Sequence, residues 1–557
     1  MSDFTRNKTV EEMEEDSKAA AEALRTGGAD DAGRGQRDYI AKLARGEDIA
    51  RKNDYGLSAA FERLKGKHGG YVSDKKFLNG WVYGTADGMA KICLLWIDGL
   101  GGRGVETHLF EHYFWVLTAD VAGKARTLLR RWTYGYGVGR RAFRVRRWDV
   151  DPNYPEWTRV YVDTPPEYFN ARTYLTDRAG HYVTSCRIDG KVRKVVARSP
   201  SINCADELDK RGIKTWEGDL SPVRRFVADV PINYPDAGDF SEAYFDIETD
   251  DRYDDVFINL GKYRILSIGW EDKDGKPGKL LLEEDADEAE RKMLTRFRDK
   301  VLRKTDVLFT WNGYQFDYYY LWERMRRLGV EWKWWELVFA DLLPVFKRYH
   351  FRAGSKNTSL ALGKIGAAVL GDEEGGKVDL RDELDQKYPG WREDGSSAGT
   401  WSAWWRDPEL LLKYNVKDCT ILRKLERFTG YAHLDFTFSK IGNCFANDYH
   451  ISTKIDGLMV RKGLVDGQHF PTVFKDREEA EAEARGDGPA HEGGYVHEPV
   501  RGVHETVCAF DFKSLYPSMI TTFNLSPDTF VAPEERHLHA PEDLITTVVG
   551  TTFLRPR

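Results

Sequence analysis

Tyr244-Phe245-Asp246-Ile247-Glu248-Thr249 is the stretch on which the fold turns. Apolar and acidic residues mix here with the acids two apart, and a strand places alternate side chains on one face. Asp246 and Glu248 should therefore point the same way, about 7 Å apart along the backbone. Two like charges so placed repel. A divalent cation between them relieves the repulsion, and oxygen-rich, carboxylate-lined sites suit magnesium or manganese. Taken alone, the hexapeptide is equally well a strand edge with a solvated acidic face.

The residues downstream bear on that choice. Arg264 to Trp270 reads as a second, buried strand, Ala286 to Lys304 as a helix, and Val307 to Trp311 as a strand that ends at Asn312-Gly313-Tyr314-Gln315-Phe316-Asp317. A third carboxylate thus sits in a loop entering a helix, where the helix N-terminus favours an anion and is expected to keep Asp317 ionised. Tyr414 and Asp418 stand four apart in the helical run Leu410 to Leu425 and should project from one face. Four acids and a tyrosine, delivered from two strand ends and two helices, have the make-up of a two-metal phosphodiesterase. In that chemistry two cations, Mg2+ or Mn2+, activate a water and neutralise the leaving oxygen. Tyr414 is the candidate to orient the water, and Asn312 and Phe316 the candidates to position the terminal nucleotide. Each piece has a plainer alternative: the Asn312 to Asp317 segment as a turn with a packed aromatic, the Tyr414 to Asp418 segment as an ordinary amphipathic helix.

The chain has 557 residues, too many for one hydrophobic core, and three or four domains are expected. No apolar run is long enough to cross a bilayer and Met1 to Lys8 lacks an apolar signal region, so the expectation is a soluble cytoplasmic protein with no membrane partner. Cys93, Cys186, Cys204, Cys419, Cys444 and Cys508 are scattered without a CxxC pair, against both a zinc knuckle and a disulfide framework. The formal charge of −7 means that any nucleic-acid surface has to be a local patch. Thr9 and Glu12 form a capping box for a helical run Glu11 to Arg25, ended by Gly27-Gly28, within a polar extension over residues 1–60. Between Gly80 and Asp229 short strands alternate with turn signals, as at Lys91 to Trp96 and Arg159 to Val162. Lys124, Arg126, Arg130 and Arg131 precede a glycine-rich turn and Arg140 to Arg147 follow it. That strip suits a phosphate backbone, or is simply a solvated sheet face.

Phe245 to Glu248, Asn312 to Asp317 and Tyr414 to Asp418 resemble the three exonuclease motifs of family B DNA polymerases, in the DEDDy form of the ribonuclease-H-like fold. Gly212 to Asp219 and Arg224-Arg225-Phe226 look like the exit from that family's N-terminal domain, and Asp341 to Val345 with Leu360 to Gly376 look like its connecting strand and helix. Glu492 to Val496 and Ala509 to Ser518 are similar to its hinge motif and polymerase motif A. The resemblance implies a mixed α/β architecture. It comprises a β-rich N-terminal domain at 61–235 with a return segment at 431–475, a 3′-5′ exonuclease at 236–430, a linker at 476–490 and a partial palm at 491–557. Asp511 would bind both polymerase metals with the Phe512 carbonyl as a further ligand, Tyr516 with Ser514 and Leu515 would meet the incoming nucleotide, and Gly493, Gly494 and Tyr495 would approach DNA.

Two departures stand out. His491 occupies the place where the hinge motif usually has tyrosine. The chain also ends at Arg557, with Val548 to Arg557 running into a strand that looks cut short, and lacks the fingers pattern and the second acidic strand of the palm. Phosphoryl transfer to a primer needs both. The expectation is therefore the N-terminal part of a family B DNA polymerase with a metal-dependent 3′-5′ exonuclease. Its partners would be primer-template DNA and a single-stranded 3′ end, dNTP only with a C-terminal polymerase part, and a sliding clamp as a further candidate. A stand-alone 3′-5′ exonuclease and a non-catalytic DNA-binding scaffold subunit are the alternatives.

Overall fold

Five strands, β1 (Glu242–Thr249), β2 (Ile265–Asp272), β3 (Pro277–Leu281), β4 (Val307–Thr310) and β5 (Val338–Asp341), form one sheet in the order β3-β2-β1-β4-β5. This is a computed structural model. It describes residues 75–474 apart from 99–100, 123–130, 136–139, 167, 171–184, 189–190, 196–198, 231, 237, 254–255, 257–259, 351–358, 378, 393–397, 447 and 449. Beyond these it describes 498, 500, 502, 508, 510, 512, 514–526, 529–547 and 550–555. Two compact units divide the chain, Met1–Lys475 and Asp476–Arg557.

In the sheet, β1 pairs antiparallel with β2, and β2 with β3. The β1–β4 and β4–β5 pairs are parallel, and parallel neighbours need crossovers. Helix α1 (Asp287–Phe297) lies between β3 and β4, and α2 (Asp317–Arg327) between β4 and β5. The helix expected over 286–304 closes in a π turn at Arg298–Leu302. That wider turn leaves both Val301 and Leu302 buried.

The even and odd residues of β1 serve different faces. Phe245 and Ile247 are buried on one, with the Phe245 ring 5.9 Å from Phe297 of α1. Asp246 and Glu248 face the long helix α4 (Pro408–Thr429), while α3 (Leu342–Tyr349) directly follows β5. Asp407 caps α4 by accepting a hydrogen bond from the Leu410 N–H at 3.1 Å, Pro408 begins it, and Gly430 ends it with φ +63°. Leu411, Leu422 and Leu425 are fully buried, each worth about 1.5–3 kcal/mol. The helix lies so close to the sheet that a Cβ on Gly269 of β2 would be 2.8 Å from Asn415 Oδ1. Only glycine admits that approach without a shift.

The N-terminal part of this unit is β-rich. One sheet of six strands runs Arg103–Phe110, Ala90–Ile97, Lys76–Gly84, Tyr168–Asn170, Lys191–Val195 and Ser185–Ile188 in spatial order. A four-stranded sheet runs Tyr113–Leu117, Trp157–Val162, Arg140–Val150 and Arg131–Gly135. In the basic strip, Arg146 pairs with Glu111 and Asp163 at 3.3 Å each. Arg147 pairs with Asp149 at 2.7 Å and with Glu111, and stacks 3.8 Å over Tyr161. These two arginines are locally neutralised, as a solvated sheet face would have them. Lys124, Arg126 and Arg130 lie outside the described residues.

The segment 431–475 divides its contacts. Helix α5 (Tyr431–Ile441) stays with the five-stranded sheet, where Asp435 holds Arg348 at 2.6 Å and Tyr349 at 3.0 Å. From Phe445 the chain packs with Phe77, Val82, Ile92 and Leu94 of the N-terminal sheet. Helix α6 (Ile451–Asp466) follows, with Arg461 donating to Val227 O at 3.0 Å, and Thr472 N donates to Thr215 O at 3.0 Å.

In the second unit, α7 (Leu515–Phe523) buries none of its residues. Near the end of the chain Thr552–Leu554 is the middle strand of a small antiparallel sheet, between Phe530–Val531 and Leu544–Thr546. No helix among the described residues is long and apolar enough to cross a membrane.

Candidate active site

The β1–β4 ladder pairs Glu242, Ala243 and Tyr244 with Val307, Leu308 and Phe309, and stops there. Beyond it β1 runs on against β2 alone, which opens a crevice at the carboxyl ends of the parallel strands, where α/β sheets place ligands. Asp246 and Glu248 stand in this crevice, and α4 brings Asp418 to it. One carboxylate oxygen from each of the three lies within 4.8 Å of the others. Asn415, three residues before Asp418 and thus on the same helix face, donates to Asp246 Oδ2 at 2.8 Å.

Lys377 follows the short helix Asp372–Gly375 and was given no part by the sequence. Its Nζ bonds Asp418 Oδ2 and lies 4.4 Å from the centroid of the Tyr414 ring. Burial alone would lower its ammonium, but Asp418, Tyr414, Asp246 and Glu248 together raise it above the ordinary lysine value. Forty-one residues separate Lys377 from Asp418, so no local pattern could have linked them.

Asp317 comes to the site as the first residue of α2, buried, with its like charge acting on Asp246, but it lies outside the tight group of three. Its surroundings oppose the ionised state expected from the helix N-terminus. Burial first, then the like charge of Asp341, pushes its carboxyl up to about 7. The helix N-terminus is too weak to offset both. Burial likewise raises Glu248 to about 8, with Lys377 opposing and Asp418 and Asp317 adding. Asp246 is raised well above the usual carboxylate range by burial, then Asp317, Asp418 and Glu248. Asp418 is raised by burial, against the pull of Lys377. Tyr414 is also raised, by burial and then by Glu248, so its phenol keeps its proton and can donate.

These residues fit a hard divalent cation. They are oxygen donors that repel one another, and Asp418 Oδ1, buried, has no hydrogen-bond partner among the described residues. Asn312 adopts a left-handed backbone, φ +61°, at the head of the turn that leads to Asp317, and Phe316 packs its ring 5.1 Å from Tyr320.

Of the expected polymerase residues, Asp511, Gly493, Gly494 and Tyr495 lie outside the described residues, as do the expected linker at 476–490 and His491. Phe512 and Tyr516 expose most of their side chains, Leu515 is exposed, and Ser514 takes φ +53° just before α7. The described residues bring no site together there.

The RNase H superfamily model matches residues 243–428, and the DNA polymerase family B model matches residues 449–554. The DNA polymerase of Thermococcus gorgonarius is 26% identical over 370 residues, 58% of this chain and 43% of that protein. The DNA polymerase of Thermococcus sp. (strain 9oN-7) is 27% identical over 370 residues, again 58% of this chain and 43% of that protein. The chain thus covers less than half the length of these relatives. The structure of the family B DNA polymerase from the hyperthermophilic archaeon Pyrobaculum calidifontis shares the fold at a TM-score of 0.55 and 16% identity, covering 87% of this chain and 61% of that one.

Proposed function

From a chain that is similar to family B DNA polymerases and carries an RNase H-like nuclease domain, we propose a metal-dependent 3′-5′ exonuclease acting on the single-stranded 3′ end of DNA. The observation that carries the reading is the convergence of Asp246, Glu248 and Asp418, with the orphaned Asp418 Oδ1 among them.

Asp246, Glu248, Asp317 and Asp418 would hold the cations. Two bound Mg2+ or Mn2+ ions would supply a nucleophilic water and neutralise the leaving oxygen. The rest is the work of this chain's own groups. The Tyr414 hydroxyl orients the water that attacks the terminal phosphorus; the bond from phosphorus to the 3′ oxygen breaks, releasing a nucleoside monophosphate and leaving a new 3′ hydroxyl on the strand. Lys377 holds Asp418 and Tyr414 in place, Asn415 fixes the Asp246 rotamer, and Asn312 and Phe316 position the last nucleotide. DNA synthesis would need a separate C-terminal polymerase part, with Asp511, the Phe512 carbonyl, Ser514, Leu515 and Tyr516 contributing to that centre, Gly493, Gly494 and Tyr495 meeting DNA, and a sliding clamp as a further partner.

The test is direct. The chain is incubated with 3′-labelled single-stranded DNA and Mg2+. Stepwise loss of 3′ nucleotides is expected, and its disappearance in the Asp246→Ala, Asp418→Ala double variant. No loss, or loss unchanged in the double variant, removes the nuclease and leaves the scaffold reading.

A further inference from the structure

Asp341 ends β5 opposite Thr310 of β4, in the parallel register of the two strands. It is 5% exposed. Its Oδ1 accepts from the Leu343 N–H at 3.0 Å, which caps α3, and also from the Asn312 N–H at 2.8 Å; its Oδ2 accepts from the Tyr314 N–H at 3.3 Å. A helix cap needs only the first of these bonds. The other two reach across to the neighbouring strand's turn. That turn is under constraint: Asn312 sits at φ +61°, a conformation costly for a residue with a Cβ, and a Cβ on Gly313 would lie 2.1 Å from Thr310 Oγ1. Inside the turn, Gln315 N donates to Asn312 O at 2.9 Å and Tyr318 N to Gly313 O at 2.9 Å. The Tyr314 hydroxyl donates to Phe339 O, so a second anchor also falls on β5.

We propose that Asp341 is a positioning residue of the nuclease site: its carboxylate clamps the Asn312–Tyr314 turn onto the end of β5 and so sets where α2 begins and where Asp317 enters the acidic crevice. The proposal rests on the nuclease reading for its kinetic consequence, but its geometry stands apart from that reading.

Asp341→Ser separates cap from clamp, because a serine hydroxyl can still accept from Leu343 N–H but is too short to serve the turn as well. Asp341→Asn keeps an oxygen in the Oδ1 place and serves as the conservative rescue. In the full chain, Asp341→Ser should lower kcat for 3′-nucleotide removal about 10- to 100-fold. KM for the strand should change less than kcat, and the melting temperature should stay within about 2 °C of the parent. Hydrogen exchange should quicken in the peptide covering residues 307–320 and nowhere else, and Asp341→Asn should recover most of both losses. Wild-type kcat and wild-type exchange in Asp341→Ser would overturn the proposal. So would a loss of kcat that merely accompanies a lower melting temperature and faster exchange throughout, since that is a structural cap alone. If the parent chain shows no nuclease turnover, the functional reading fails, and the exchange comparison by itself still decides whether Asp341 holds the turn.

Discussion

Asp246, Glu248, Asp317 and Asp418 are the residues whose local rules fail most informatively. Spacing placed them on one face or one helix turn, but it could not supply the burial that decides their charge. Each has a carboxyl raised above its unfolded value, so in the metal-free protein the fold binds more protons than the unfolded chain and stability falls as pH rises. With Asp317 at about 7 and Glu248 at about 8, the loss accumulates from about pH 4 to about pH 8. A cation competes with those protons. Melts in EDTA should therefore drop steadily from pH 5 to 8 while melts in Mg2+ hold, and the gap between the two curves should widen with pH. A constant gap would mean that the acids do not share a cation.

Two elements, β1 and α4, carry the site, and their mutual placement is fixed at two points. At the closed end, His433 stands between Glu242 at the start of β1 and Glu426 near the end of α4, at 2.7 and 2.9 Å. Burial would lower this imidazole, but hydrogen bonds to Glu242 and Glu426 outweigh it and raise it to about 10. A raised histidine contributes stability that is complete below about pH 6.5 and fades as pH climbs to about 10. His433→Gln leaves two carboxylates facing each other without a cation and should cost about 3–5 kcal/mol near neutrality. Its melting temperature should also change much less than the parent's between pH 7 and 10. At the open end, Gly269→Ala would push on Asn415 and strain its bond to Asp246. Overpacking of this kind costs about 1–3 kcal/mol, and calorimetric titration should show weaker Mn2+ binding as well. The sequence places both elements, because a two-residue and a 3.6-residue period are written locally. It does not show the π turn after α1 or the division of 431–475 between two cores, since both answer to packing against partners remote in the chain.

For the whole molecule, similarity to family B DNA polymerases covers about two-fifths of the relatives' length. On the proposed reading, the chain supplied with primed template, dNTP and Mg2+ should shorten the primer and not extend it; extension beyond the primer end would overturn the need for a separate polymerase part. The sequence alone determined the local setting of Asp246 and Glu248 on a strand, of Asp317 at a helix entrance and of Tyr414 and Asp418 on a helix, because that follows from short-range periodicity. Only the tertiary structure brought Lys377 to Asp418 and Asn415 to Asp246, across 41 and 169 residues, and gave Asp341 its hold on the turn before Asp317. The physical reason is that a charge's partners and its loss of water are properties of the packed interior, and neither is encoded in any window of neighbouring residues.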